Sequence, residues 1–195
     1  MRFHSGAVPT SSDFKIDEGW TALREPEAWE MQLYSVPFAI LNFLVLGLPW
    51  FLFKSIDEPV MRSLLFRWST WVFLLSLLGI HEVCHLLVHP RAGFSGRSIF
   101  GVWPSRLMLY AHYDGEIKKM RLVAILLTPL FALSATPLIG ASFLPVEIIP
   151  LVAFLSIANA LFSSGDVYSA VLILWQVPPW AVVRNQGWNT FWKVR

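Results

Sequence analysis

Long apolar runs separated by short polar breaks dominate the chain from Leu33 onward. A helix needs about 20 consecutive apolar residues to cross a 30 Å hydrocarbon core, and that rule picks out the spans. The first run goes from Leu33 to Phe53 and is closed by "KSIDEP". The second goes from Leu64 to Val88, with Arg67 near its start and Pro90 beyond its end. The third, Leu122 to Leu144, is interrupted by Pro129 and Pro137. A bundle tolerates such prolines where neighbouring helices take up the freed carbonyls. Val146 to Phe162 is short but strongly apolar. Val167 to Val183 contains "QVPPW" and reads as a last span, a half-span or an interfacial segment.

The polar stretches supply the rest of the organisation. Residues 1–32 have no apolar core after their first basic residue and carry Asp13, Asp17, Glu18, Glu25, Glu27 and Glu30, so they read as a cytosolic or interfacial leader, not a secretory signal. Trp20, Trp29 and Tyr34 suit the headgroup level. Between the second and third runs, "RSIFGVW" and "RLMLYAHY" flank Pro104 and Ser105 and read either as a β-hairpin or as a loop folded over the helix ends. A hairpin there would offer an open edge to an extended peptide. The pattern therefore predicts an all-α membrane protein, a polytopic bundle of four to five transmembrane helices. Its spans are about 33–53, 64–88, 122–144, 146–162 and 167–183, with a hairpin-like insertion at 91–121 and a tail at 184–195.

Composition agrees with a lipid solvent. Of the 195 residues, 55% are hydrophobic and only 14% charged, and the mean hydropathy is +0.56. That leaves too little polar surface for an ordinary soluble domain. The net charge of +2 comes with no basic run interleaved with aromatics, so a nucleic-acid partner is not expected. The lone Cys84 permits no internal disulfide and reads as a small apolar space-filler.

Lys and Arg in the flanking segments set orientation. With five spans, one side holds Arg2, Lys15, Arg24, Arg91, Arg97, Arg106, Lys118, Lys119 and Arg121, against Lys54, Arg62, Arg67, Arg184, Lys193 and Arg195 on the other. If the last segment does not cross, Arg184, Lys193 and Arg195 join the first group. Either count places the leader and the 91–121 segment on the cytoplasmic side.

One span carries chemistry. Residues 81–85 read "HEVCH", and ionisable residues inside an apolar helix are functional candidates by default. His81 and His85 lie one helical turn apart on one face, so both imidazoles can ligate one Zn²⁺ with Glu82 beside them as general base. Zinc lowers the pKa of a bound water to about 7 and polarises a peptide carbonyl, which points to peptide hydrolysis.

A catalytic zinc takes three protein ligands and keeps one open position. The longer soluble pattern H-E-x-x-H-x-x-G-x-x-H fails, because Val88 and Arg91 stand at its last two defined positions. His89 shares the stripe but lies about 12 Å along the axis from His81, too far to close on the same ion. It reads as a polar residue at the helix end, where a cation is welcome. His112, Asp114, Glu116 and Asp166 remain. The fourth apolar run returns from Pro145, so Asp166 arrives about 30 Å further on, at the depth of His81. It is flanked on both sides by apolar residues and needs a partner. A metal would serve, and so would the first-turn N–H groups of the next helix. Asn159 lies seven residues earlier, as an oxyanion donor or as an interhelical hydrogen bond; His112 is a further candidate on the substrate side.

These segments resemble the family of small bacterial membrane proteins known as "Putative zincin peptidase": "GWTALREPEAW", "HEVCHLLVHP", "LYAHYDG" with a basic pair and a proline-bearing apolar helix, then Asn159 and "GD". More distantly the chain is similar to the site-2 intramembrane metalloproteases, which join such a helix to an aspartate on a later span. The resemblance implies His81, His85 and Asp166 as zinc ligands and Glu82 as base. The site-2 pattern of Asn, Pro and Asp-Gly is not kept: no proline follows Asn159, and Gly165 precedes Asp166. The expected protein is a multi-pass, inner-membrane zinc endopeptidase acting on a membrane-protein or peptide substrate at the cytoplasmic side, with room for a regulatory partner. A non-proteolytic membrane scaffold is the alternative.

Overall fold

The computed structural model describes residues 1–16, 19–54, 56 and 58–194; Asp17, Glu18 and Arg195, named above, lie outside the described residues. Among the described residues, three helices are long and apolar enough to cross a membrane: α1 (Trp29–Phe53), α3 (Trp68–Val88) and α4 (Lys119–Phe143). A further pair, α5 (Ile149–Phe162) and α6 (Ser164–Gln176), makes a fourth crossing if read as one span bent by 42°. Short α2 (Glu58–Leu65) joins α1 to α3.

The expected spans shift for physical reasons. Arg67 is extended, so the second span begins at Trp68 and not Leu64, and the Arg67 charge stays outside it. His89 precedes Pro90 and adopts ψ 157°, the extended conformation that proline imposes on its predecessor, so α3 stops at Val88. A left-handed turn follows, in which a Cβ on Gly93 (φ +79°) would come within 2.8 Å of the Leu86 carbonyl oxygen. The 167–183 segment is not a single helix. It leaves the helical path after Gln176, and the chain turns at Pro178 and Pro179 into a strand.

The all-α expectation is corrected by two sheets. The first has the order β1-β3-β4, with β1 (Arg2–Ser5) parallel to β3 (Ser98–Trp103) and β3 antiparallel to β4 (Met108–Tyr113). The 98–113 segment is thus a hairpin, in which the Tyr110 ring lies over Gly101, where a Cβ would sit 2.0 Å from it. The second has the order β2-β7-β6-β5, built from β2 (Thr21–Ala22), β5 (Ile117–Lys118), β6 (Ala181–Gln186) and β7 (Asn189–Val194). The leader and the tail are therefore strands of sheets. Because β2, β5 and β6–β7 pair with one another, the leader, the segment after α3 and the C-terminal residues share one side of the helices.

One face of the second sheet closes over α4 and α6 through Leu23, Ile117, Leu122, Ile125, Ile173 and Val183. A separate apolar cluster around Trp50, Ala141, Ala153 and Ile157 joins α1, α4 and α5 further along the bundle. The "KKMR" run at the head of α4 ties the ends of two other helices. Buried Lys119 donates from Nζ to the carbonyls of Leu174, at 3.0 Å, and Val177. Arg121 donates from Nε to Val88 O at 3.1 Å and from Nη2 to His89 O at 3.2 Å. Carbonyls at a helix C-terminus lack intrahelical donors and sit at the negative end of the dipole, so both cations answer a defined need. Arg121, not His89, is the cation at the end of α3. Burial pushes the His89 imidazole down to about 4, which keeps it neutral.

Replacing Lys119 by Met should lower stability by about 1–3 kcal/mol, the scale of lost charge-assisted hydrogen bonds at buried acceptors; thermal unfolding in detergent measures it. His89 supplies a pH test. Its folded pKa lies below the ordinary 6.5, so its contribution is complete above that value and is lost as pH falls through the window down to about 4. Metal-free His89→Phe should therefore lose less unfolding temperature than metal-free wild type over that window. Parallel pH curves would reject the buried neutral imidazole.

Candidate functional site

α3 places His81 and His85 on one face, with ring centroids 4.9 Å apart and planes at 79°. The break at Ser163 between α5 and α6 turns the first turn of α6, with Asp166, toward them. Asp166 Oδ2 lies 3.1 Å from His81 Nε2, and Oδ1 lies 3.6 Å from His85 Nε2. One ligand atom from each of the three residues falls within a 4.8 Å cluster. A tetrahedral zinc with bonds near 2.0–2.1 Å separates its ligand atoms by about 3.3 Å, so the set matches a zinc site in spacing as well as in donor type. Asp166 is not the N-cap of α6. That position belongs to Ser163, and the Asp166 carboxylate goes to the histidines.

The other ring nitrogens fix the tautomers. His85 Nδ1 is 2.7 Å from the Ile125 carbonyl, which can only accept, so Nδ1 carries the hydrogen and Nε2 presents a lone pair. His81 Nδ1 is 2.9 Å from Asn159 Oδ1. Asn159 Nδ2 donates to Pro129 O at 2.9 Å and to Ser134 Oγ at 2.8 Å, which sets the orientation of the amide. His81 thus also carries hydrogen on Nδ1. Metal-binding histidines depend on such an outer hydrogen bond for tautomer and ring orientation.

This arrangement corrects the oxyanion role for Asn159. The residue is fully buried, and both of its amide hydrogens are spent inside the bundle, so none is left for a substrate oxygen. Asp114, weighed as a third ligand, instead bridges Arg2 at 3.2 Å and Arg184 at 3.3 Å; against burial, a Ser11 hydrogen bond and then these cations hold its carboxyl below the usual range. Among the described residues, the ligand group includes neither His112 nor Glu116. His112 lies in β4, where burial lowers its pKa to about 4. His89 packs its ring on Tyr113, with Nδ1 3.3 Å from Ser98 Oγ.

His81, Glu82, His85 and Asp166 line one end of a cavity of about 390 Å³. β4 forms a wall, with Met108 through Tyr113 lining it, and among the described residues its outer edge has no strand partner. Glu82 and Ala111 both line the cavity. The lining also takes in Glu25, Arg184, Asn185, Trp188 and Thr190 from the leader and the β6–β7 hairpin. Glu25 accepts from Thr190 N and Oγ1, while burial raises its pKa. Sequence reasoning missed this part of the lining and the Ile125 carbonyl; the carbonyl had a signal, since Pro129 stands four residues after it.

The elements define a class before any comparison: apolar helices carrying a two-histidine, one-aspartate group that could hold a metal ion, beside a glutamate. A family model described as "Putative zincin peptidase" matches residues 73–182, more than half of the 195 residues and every member of that set. The chain belongs to this family. Membership implies zinc and points to a metallopeptidase. No curated protein and no solved structure matches the chain.

Metal content tests the ligand set. His81→Ala, His85→Ala and Asp166→Ala should each strip zinc from the purified protein, while His112→Asn and Asp114→Asn should keep the wild-type content. Elemental analysis gives the answer; zinc retained in Asp166→Ala would move the third ligand elsewhere.

Proposed function

We propose that the chain is a zinc-dependent, membrane-embedded endopeptidase that hydrolyses a peptide bond in a membrane-associated substrate. The observation that carries the reading is the convergence of His81, His85 and Asp166 at the end of a cavity whose wall is an open strand edge. The site-2 proteases supply the analogy. Zinc, when bound by these three residues, supplies a Lewis acid for the carbonyl and acidifies a water. Glu82 takes the proton of the attacking water and passes it to the leaving amine.

Substrate binding follows from strand physics. An extended peptide adds to the free edge of β4 by main-chain hydrogen bonds. Alternate residues of β4 present their N–H groups to its free edge, and Glu82 shares the cavity lining with that strand. A peptide bond paired near these residues lies beside the ligand set. The His112 imidazole stays neutral in the wall and offers a hydrogen bond without adding charge.

Localisation belongs to the same proposal. Four crossings put the leader, the 89–118 segment and the C-terminal strands on one side, with Lys54, Arg62 and Arg67 alone on the other. That charge asymmetry favours a cytoplasmic site in a bacterial inner membrane.

Glu82→Gln is the discriminating variant. It should retain zinc at the wild-type level and lose at least about 100-fold in turnover of a co-expressed membrane substrate, the low end of general-base catalysis. Undiminished cleavage would sink the assignment of the base. Zinc binding with no cleavage by wild type of any membrane substrate would favour the scaffold.

A further inference from the structure

Pro129 touches neither the ligand set nor the cavity lining, yet the outer hydrogen bonds of both histidines run through it. It sits fully buried inside α4. A proline in a helix has no N–H, so the carbonyl four residues earlier loses its intrahelical donor. Here that carbonyl is Ile125 O, the acceptor for His85 Nδ1 at 2.7 Å. The carbonyl of Pro129 itself accepts one hydrogen of Asn159 Nδ2, and Ser134, in the widened turn Phe131–Ala135 that follows, accepts the other. So gripped, Asn159 can present only Oδ1 to His81.

We infer that Pro129 is the positioning residue of the metal centre, fixing both imidazoles with Nε2 toward the ion through two separate carbonyls. The inference rests on the zinc reading above. An alanine at this position would restore the N–H and draw Ile125 O back into the helix ladder, in competition with His85. It would also let the backbone at 129 straighten and loosen the grip on Asn159. The physics separates this role from a merely structural one, because removing an internal proline relieves a helix while the metal site loses its alignment.

The experiment compares zinc affinity, by chelator competition, with the unfolding temperature of the metal-free full-length protein. Pro129→Ala should bind zinc about 10-fold or more weakly, the effect typical of an outer-sphere histidine partner. Its metal-free unfolding temperature should equal or exceed that of wild type. Its cobalt(II) form should show altered visible d–d absorption. Asn159→Leu, which removes the acceptor for His81 alone, should also weaken zinc, and the double variant should lose less than the product of the two single effects. Zinc affinity of Pro129→Ala within twofold of wild type overturns the inference, as does full multiplicativity in the double variant. Should Pro129→Ala unfold at lower temperature, the decision passes to Asn159→Leu, where unchanged affinity counts against the inference. Wild type that binds no zinc would instead defeat the reading of the site.

Discussion

The bundle answers to one constraint: two imidazoles and a carboxylate face one another among apolar helices, and their buried polar atoms need partners. A buried donor or acceptor without a partner costs about 1–3 kcal/mol. The hydrogen-bond chain that meets this demand runs from His81 to Asn159, then to Ser134, whose hydroxyl donates to Ser156 O at 2.9 Å. Ser156 Oγ returns a bond to Ser134 O at 3.1 Å and accepts from Trp50 Nε1 at 3.1 Å. A single polar thread thus joins α1, α3, α4 and α5 through the centre of the apolar bundle. The break between α5 and α6 belongs to the same solution, because a straight helix would carry Asp166 past the histidines.

The two sheets hold the site from outside the helices. Asp114 follows β4 of the first sheet and pairs with Arg184 of the second and with Arg2 of β1, so a partly buried ion pair couples the strand edge to the second sheet's part of the cavity lining. Lys119 and Arg121 do the equivalent for the helices, fastening the ends of α6 and α3 to the head of α4. Since α3 carries the histidines and α6 the aspartate, the same basic run that caps two helices fixes the separation of the ligands.

How legible this was depends on the range of the interactions. The apolar runs and the His81, Glu82 and His85 spacing are local patterns, and both are plain in the chain. The depth of Asp166 followed from helix rise alone. The second sheet was not legible as a whole: β2 and β5 are two residues each, too short for any alternation to register. The β6–β7 hairpin did leave a trace in "AVVRNQGWNTFWKV", where branched and aromatic residues flank a glycine turn. An expected span ending at Val183 absorbed its first half. Of the two roles open to Asn159, the interhelical hydrogen bond could not be singled out, because its partners, Pro129 and Ser134, come from another helix and no spacing rule links them. The prolines were seen as tolerated breaks, whereas the carbonyl freed by Pro129 is the very atom that orients His85.

The depth of the ligands also constrains how anything reaches them. His85 and His81 lie three and seven residues before the end of α3, about 4.5 and 10.5 Å below it along the axis. If these helices lie in a membrane, lipid supplies neither water nor peptide hydrogen bonds there, and access comes through the cavity. Its wall on the sheet side is polar, with Glu25, Arg184, Asn185 and Thr190, and its long side is the β4 edge. A helical substrate keeps its amides bonded to itself and has none to offer an edge; an extended segment has them free on alternate residues. If the site cleaves peptides, the geometry selects those that unwind near the sheet side of the membrane. The strength of local helix structure around the scissile bond then becomes part of specificity, alongside the side chains that fill the cavity.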